Sequence, residues 1–226
     1  MKNKAKNFWE KRAAELLLNE NSELGIWQST SLTSSEEEAL KRRNLEIEHL
    51  EKALELLPSI SEMNLLEIGC GVGRLTTFFA QKFSHVYATD YIADFLAIAS
   101  QKAEEENLKN ITFRHLESDQ ALPEWKVNCR AICGVLSYLN DDDYFKTLSS
   151  AKNAEYLIIK ESVGVNERLE LEDHFSEQLN CNYNAIYRQK DELIKDVQNL
   201  GYNLIMDNLV EAHREETNIR IFVFKK

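Results

Sequence analysis

Three of the chain's seven glycines, Gly69, Gly71 and Gly73, fall within five residues. Before them stands the apolar run Asn64-Leu65-Leu66-Glu67-Ile68, and after them Leu75, Phe78 and Phe79 recur at helical spacing. That order reads as strand, turn and helix. A glycine-rich turn lets a ligand approach the backbone with no Cβ in the way, and the helix that follows offers free N–H groups. The chemistry such a turn permits is the holding of a nucleotide-like cofactor. Its pattern, G-x-G-x-G, differs from the dinucleotide fingerprint, and no Gly-Lys-Ser/Thr follows as in a phosphate loop, so both of those readings weaken.

Two further polar positions keep step with the glycines. The segment His85-Val86-Tyr87-Ala88-Thr89-Asp90 is a second apolar strand ending in an acid, where one carboxylate could accept both hydroxyls of a ribose. Asp90 could equally cap a helix starting near Tyr91. A third strand-like segment, residues 110–116, leads into Ser118, Asp119 and Gln120, polar groups suited to an adenine edge.

In these residues the chain resembles the class I S-adenosylmethionine-dependent methyltransferases, over about residues 62–160 and more loosely beyond. The resemblance implies S-adenosyl-L-methionine as cofactor, S-adenosyl-L-homocysteine as product and no metal. It implies that Glu67 places the methionine portion, that Gly69, Gly71 and Gly73 lie under it, that Asp90 holds the ribose, and that Asp119 and Gln120 meet the adenine. Arg74 matches a G-x-G-R-[LI]-T variant and is suited to the cofactor carboxylate. Cys70, Tyr91 and Gly134 complete the implied cofactor-binding set.

The elements that must position these residues alternate along the chain. Ser34-Ser35-Glu36-Glu37-Glu38 is a helix-start signal, followed by Leu40, Leu45, Ile47, Leu50, Leu54 and Leu57 up to Pro58, the pattern of a long helix. Helices are expected at residues 93–106, 142–151 and 190–200, with Gly201 closing the last, and strands at 131–136, 156–160, 202–206 and 218–224. The expected fold is α/β: a Rossmann-like, seven-stranded, mostly parallel sheet with an antiparallel C-terminal edge and helices on both faces. Residues 1–60 are expected to form a helical extension or lid packed on a domain of residues 61–226. The charged stretch 211–217 reads as a solvated connection.

Methyl transfer is a direct displacement, so the acceptor must be aligned and, for a hydroxyl or ammonium, deprotonated. Catalytic groups belong at strand C-termini near the glycine turn, which singles out Tyr138 and Glu161. Tyr183, Tyr187 and Arg188, in an inserted stretch before the last helix, are candidate substrate contacts, the two tyrosines being four apart and so on one helical face. His174 and His213 have no companion ligand or triad signature.

The stretch after the fourth strand also resembles, more loosely, the protein α-N-terminal methyltransferases, whose pattern there ends in Gly-His-Leu and whose fifth strand runs into Lys-Asp-Asn. Here the residues are Ser137-Tyr138-Leu139 and Lys160-Glu161-Ser162. The histidine is absent and the aspartate is a glutamate, which counts against a peptide amine as acceptor. The absence of Asn-Pro-Pro-Tyr counts against methylation of adenine in nucleic acid. A small-molecule or sugar hydroxyl is the expected acceptor, with a protein N-terminal amine, or a binding module without turnover, as alternatives.

Composition agrees. With 38 acidic against 27 basic residues, a formal charge of −11, the chain lacks the cationic excess of a polyanion binder. At 226 residues it can bury a core without metal or disulfides. Cys70, Cys129, Cys133 and Cys181 show no zinc-ligand spacing, and Cys129 and Cys133 sit about 13 Å apart along one strand, too far for a disulfide. No apolar run reaches the ~18 residues of a membrane span, and Met1 to Arg12 lacks the apolar core of a signal peptide, so a soluble cytoplasmic protein is expected.

Overall fold

A computed structural model of the protein describes residues 2–18, 36–116, 123–150, 153–176, 181–212 and 215–226. Among these residues two helices come first, α1 (Lys2–Leu18) and α2 (Glu36–Leu54). The alternating part then runs β1 (Asn64–Ile68), α3 (Arg74–Ala80), β2 (His85–Asp90), α4 (Ala93–Glu105), β3 (Ile111–His115), β4 (Cys129–Cys133), α5 (Asp141–Ser150) and β5 (Tyr156–Gly164). After it come β6 (Leu169–Ser176), β7 (Cys181–Tyr187), α6 (Lys190–Asn199), β8 (Asn203–Glu211) and β9 (Thr217–Lys225).

Seven strands form one sheet in the order β3-β2-β1-β4-β5-β9-β8. β1 to β5 are mutually parallel, and β9 lies antiparallel between β5 and β8. The chain reverses direction across the sheet between β1 and β4, which opens a crevice at the C-terminal ends of those strands, the place where open α/β sheets bind ligands.

Alternation along β5 shows why both faces must be covered. Tyr156 and Ile158 join Leu65, Val86, Ala88, Ala131 and Val223 beneath the apolar stripes of α2 and α3, through Leu50, Ala53, Leu54, Leu75 and Phe79, with Leu57 of the following turn beside them. Leu157 and Ile159 face the other way with Ile132, Phe222 and Phe224, and α5 and α6 cover them through Tyr144, Leu148, Leu193 and Val197. A strand buried on both sides reads as a continuous apolar run, as Tyr156-Leu157-Ile158-Ile159 does.

Two expectations are corrected. The fourth strand ends at Cys133, and Leu136–Tyr138 is a single 3₁₀ turn rather than a strand continuation, because Gly134 at φ 69° breaks the extended backbone. Tyr183 and Tyr187 stand on strand β7, not on a helix. Positions four apart share a face in a strand as well, and Tyr183, Ala185 and Tyr187 alternate inward against the partner strand β6. All four cysteines are free. Among the described residues no helix is long and apolar enough to cross a membrane.

Candidate cofactor and acceptor site

The glycine turn is tied to β2 from both sides. Gly69 and Cys70 donate backbone N–H bonds to the Thr89 carbonyl, at 2.8 and 3.0 Å, and the Gly71 N–H donates to Asp90 Oδ2 at 2.8 Å. The other Asp90 oxygen accepts from the Ile92 N–H at 2.9 Å. Asp90 therefore shapes the turn and starts α4 with one carboxylate. Burial lifts its pKa to about 6, against the opposing pull of the Ile92 and Gly71 N–H groups.

Gly71 has φ +55°, and a Cβ built on it would meet nothing within 4 Å. The turn therefore presents a backbone cradle that a side chain would fill. Beside it, Glu67 at the end of β1 accepts from Thr76 Oγ1 at 2.6 Å, and burial raises its pKa to about 7. Cys70 is buried, and its thiol is pushed well up by desolvation. The cradle, the acid after β2 and the buried acid before the turn together fit the cofactor that the resemblance implies.

Arg74 begins α3 and forms a forked ion pair with Glu46 of α2, through both terminal nitrogens. Lys160 of β5 reaches the same carboxylate at 2.5 Å. Burial alone would raise the Glu46 pKa, but the Arg74 and Lys160 cations bring it down to about 2. Glu46 was not legible from chemistry motifs. Its signal is an acid on the buried stripe 46, 50, 53, 54 of an amphipathic helix.

Tyr138, on the turn after β4, and Glu161, inside β5 rather than after it as the sequence suggested, stand at neighbouring places in the fold. Glu161 is buried, and its Oε2 accepts from the Val135 and Leu136 N–H groups at 3.0 and 2.7 Å while Oε1 accepts from the Ser162 N–H at 3.1 Å. Its pKa is raised by burial against those donors. Arg188, also buried, donates to the carbonyls of Leu136 (2.9 Å) and Leu139 (3.0 Å) and to Asp141 Oδ1 (2.7 Å), with its guanidinium over the Tyr144 ring. Gly134 donates its N–H to the Lys160 carbonyl.

Aromatic side chains close this end of the sheet. The Trp9 ring of α1 lies edge-on to Tyr138, with centroids 5.0 Å apart, and touches Phe8 and Phe95. Tyr183 and Tyr187 bring their hydroxyls within 3.1 Å of each other, and Phe8, Tyr138, Leu169 and Leu171 pack against them. Ala13 and Trp9 of α1 also pack with Val72 of the glycine turn, Ile92, Phe95 and Tyr91. Helix α1 thus spans both the glycine turn and the aromatic group, a link that no local motif announces. Asp119 and Gln120 lie outside the described residues.

Residues 65–154 match a family model described as a methyltransferase domain. That match falls on the glycine turn and the strands described above. Residues 65–154 form a class I, Rossmann-like methyltransferase domain. Curated relatives include phosphoethanolamine N-methyltransferase 1 of Triticum aestivum, 28% identical over 166 residues, covering 70% of this chain and 30% of the wheat enzyme. An uncharacterized RNA methyltransferase of Listeria innocua is 27% identical over 78 residues, covering 34% of this chain and 17% of that protein. The chain thus spans less than a third of the length of either. Among solved structures, Haemonchus contortus phosphoethanolamine N-methyltransferase 1, in complex with phosphoethanolamine and S-adenosylhomocysteine, superposes with a TM-score of 0.74 at 17% identity. The superposition covers 99% of this chain and 48% of the Haemonchus chain, so this chain shares that fold nearly end to end.

Proposed function

We propose that the protein transfers a methyl group from S-adenosyl-L-methionine to a small-molecule acceptor, releasing S-adenosyl-L-homocysteine. The observation that carries this is the cradle at Gly71, open to a ligand and held in shape by Asp90, beside an aromatic enclosure at the same end of the sheet. When bound, the cofactor supplies an electrophilic sulfonium methyl. In this reading Glu67, Arg74 and the backbone of Gly69, Cys70, Gly71 and Gly73 receive its amino-acid end and sulfur, Asp90 and Tyr91 its ribose, and Asp119 and Gln120 its adenine, with Gly134 lining the floor.

On the acceptor side, Phe8, Trp9, Tyr138, Tyr183 and Tyr187 exclude water and orient the nucleophile. Glu161 and Arg188 act at one remove, by fixing the turn that carries Tyr138. This changes the acceptor favoured. A neutral hydroxyl needs a base, yet Glu161 already accepts three backbone N–H bonds, and Asp141 is paired with Arg168 and Arg188. An amine can shed its proton to solvent before it is enclosed, and aromatic faces stabilise a cationic amine. The amine chemistry in the names of the wheat and Haemonchus relatives supports the same choice.

Calorimetry with S-adenosyl-L-methionine, followed by transfer of a labelled methyl to phosphoethanolamine, to peptides with a free N-terminus and to sugars, tests the proposal. Turnover on a small amine is the expected result. Cofactor affinity without turnover on any arm would favour a regulatory binding module, and turnover on a sugar would restore the hydroxyl.

A further inference from the structure

We propose that Glu46, on the N-terminal helix α2, is a positioning residue of the cofactor site: it bridges Arg74 and Lys160 and so fixes the cation pair that receives the carboxylate of the cofactor's amino-acid end. This deepens the cofactor reading above and rests on it.

The geometry is that of a built charge cluster. Glu46 is 5% exposed and Lys160 is half-buried, and they come from elements 114 residues apart in sequence. Arg74 uses both terminal nitrogens on Glu46, a fork that fixes the plane of its guanidinium. Lys160 Nζ meets the same Oε1 that accepts from Arg74. Two cations this close repel each other unless an anion stands between them, and Glu46 is that anion. Two positive charges against one carboxylate leave the cluster one negative charge short. Glu67, the next carboxylate, carries an elevated pKa, so near neutrality it compensates the deficit only in part.

A ligand that brings a single carboxylate to the start of α3 completes the balance. Arg74 keeps donor hydrogens beyond those used on Glu46. Helix α2 thereby becomes part of the cofactor site without touching the cofactor. A neutral adenosine thioether, lacking the amino-acid end, draws nothing from this cluster.

The test compares S-adenosyl-L-homocysteine with methylthioadenosine, which shares the adenosine and sulfur but has no carboxylate, by calorimetry on the whole chain. In Glu46→Gln, affinity for S-adenosyl-L-homocysteine should fall by about tenfold or more while affinity for methylthioadenosine changes by less than about twofold. Because that variant leaves two partly buried cations without their anion, Glu46→Gln combined with Lys160→Met provides a background with the wild-type net charge of the cluster, which folds more readily. The double variant should show the same selective loss, since Arg74 still lacks its bridge. An equal loss for both ligands would reduce Glu46 to a structural ion pair, and a gain for S-adenosyl-L-homocysteine would make it a competitor for Arg74. Either outcome overturns the inference. If the wild-type chain binds neither ligand, the cofactor reading itself falls, whereas wild-type binding with unselective variants removes only Glu46.

Discussion

Glu161 and Arg188 hold one short turn from its two ends. The Glu161 carboxylate accepts the N–H groups of Val135 and Leu136, while the Arg188 guanidinium donates to the carbonyls of Leu136 and Leu139. Tyr138 sits between these anchors, so two buried groups of opposite charge set its position. The anchors come from β5 and from the end of β7, and they join the sheet to the β6–β7 pair.

Arg188→Met should be costly for this reason. It leaves two carbonyls and Asp141 without their buried donor, and a loss of about 2–4 kcal/mol in unfolding free energy is expected from urea denaturation. A change below about 0.5 kcal/mol would mean that the turn is held by packing alone.

Glu161→Gln separates positioning from base catalysis. The carboxamide still accepts through one oxygen, so stability should drop by about 1–3 kcal/mol and turnover by less than about tenfold, with the shape of the pH–rate profile retained. A loss of about 10²- to 10⁴-fold together with disappearance of the acidic limb would return Glu161 to the role of general base.

The glycines of the turn should separate into two kinds. Alanine at Gly71 faces open space and pays only the left-handed backbone penalty, about 1–2 kcal/mol, while occupying the cofactor's place. At Gly73 a Cβ would stand 2.8 Å from Ala99 Cβ and 3.1 Å from its Cα, so α3 and α4 must part. Gly71→Ala should therefore fold and lose cofactor affinity, and Gly73→Ala should show the larger fall in melting temperature. Thermal unfolding with and without S-adenosyl-L-homocysteine reads both.

If Asp90 holds the ribose as proposed, cofactor binding should be sensitive to pH. With its pKa near 6, it is protonated as pH falls from 7 to 5, and a protonated carboxyl has fewer lone pairs for the Gly71 and Ile92 N–H groups and for ribose hydroxyls. Affinity measured by calorimetry should weaken by up to about tenfold per pH unit below 6. Asp90→Asn should bind weakly at every pH and lose that dependence.

Glu67 and Glu46 give stability opposite slopes. Glu67 has a folded-state pKa of about 7 against 4.5, so the folded chain holds the extra proton and stability falls as pH rises between those values. Glu46 sits near 2 against 4.5, so its contribution is complete above 4.5 and is lost as pH falls toward 2. Glu67→Gln should flatten the decline between pH 5 and 7, gaining about 3 kcal/mol at pH 8, and leave the acid loss intact. Urea titrations across pH 3 to 8 would show an unchanged slope if Glu67 were solvated.

What the sequence determined by itself were the features that are local in the chain. A strand, a glycine turn and a helix are neighbours in sequence, so Gly69 to Gly73 could be read directly, and Asp90 followed from the next strand's apolar run and its acidic end. The antiparallel edge was equally legible, because β8 and β9 are consecutive. Tertiary structure decided the roles that depend on partners far away. Glu46 meets Lys160 across 114 residues, Arg188 meets Leu136 across 52, and Trp9 of the first helix meets Tyr138 on the turn after β4. Burial sets the question at Glu161: a carboxylate exposed at a strand end reads as a base, whereas here the carboxylate is enclosed with three backbone donors, the surroundings of a fastening. Only the packing of strands on either side of β4 could decide which of the two it is.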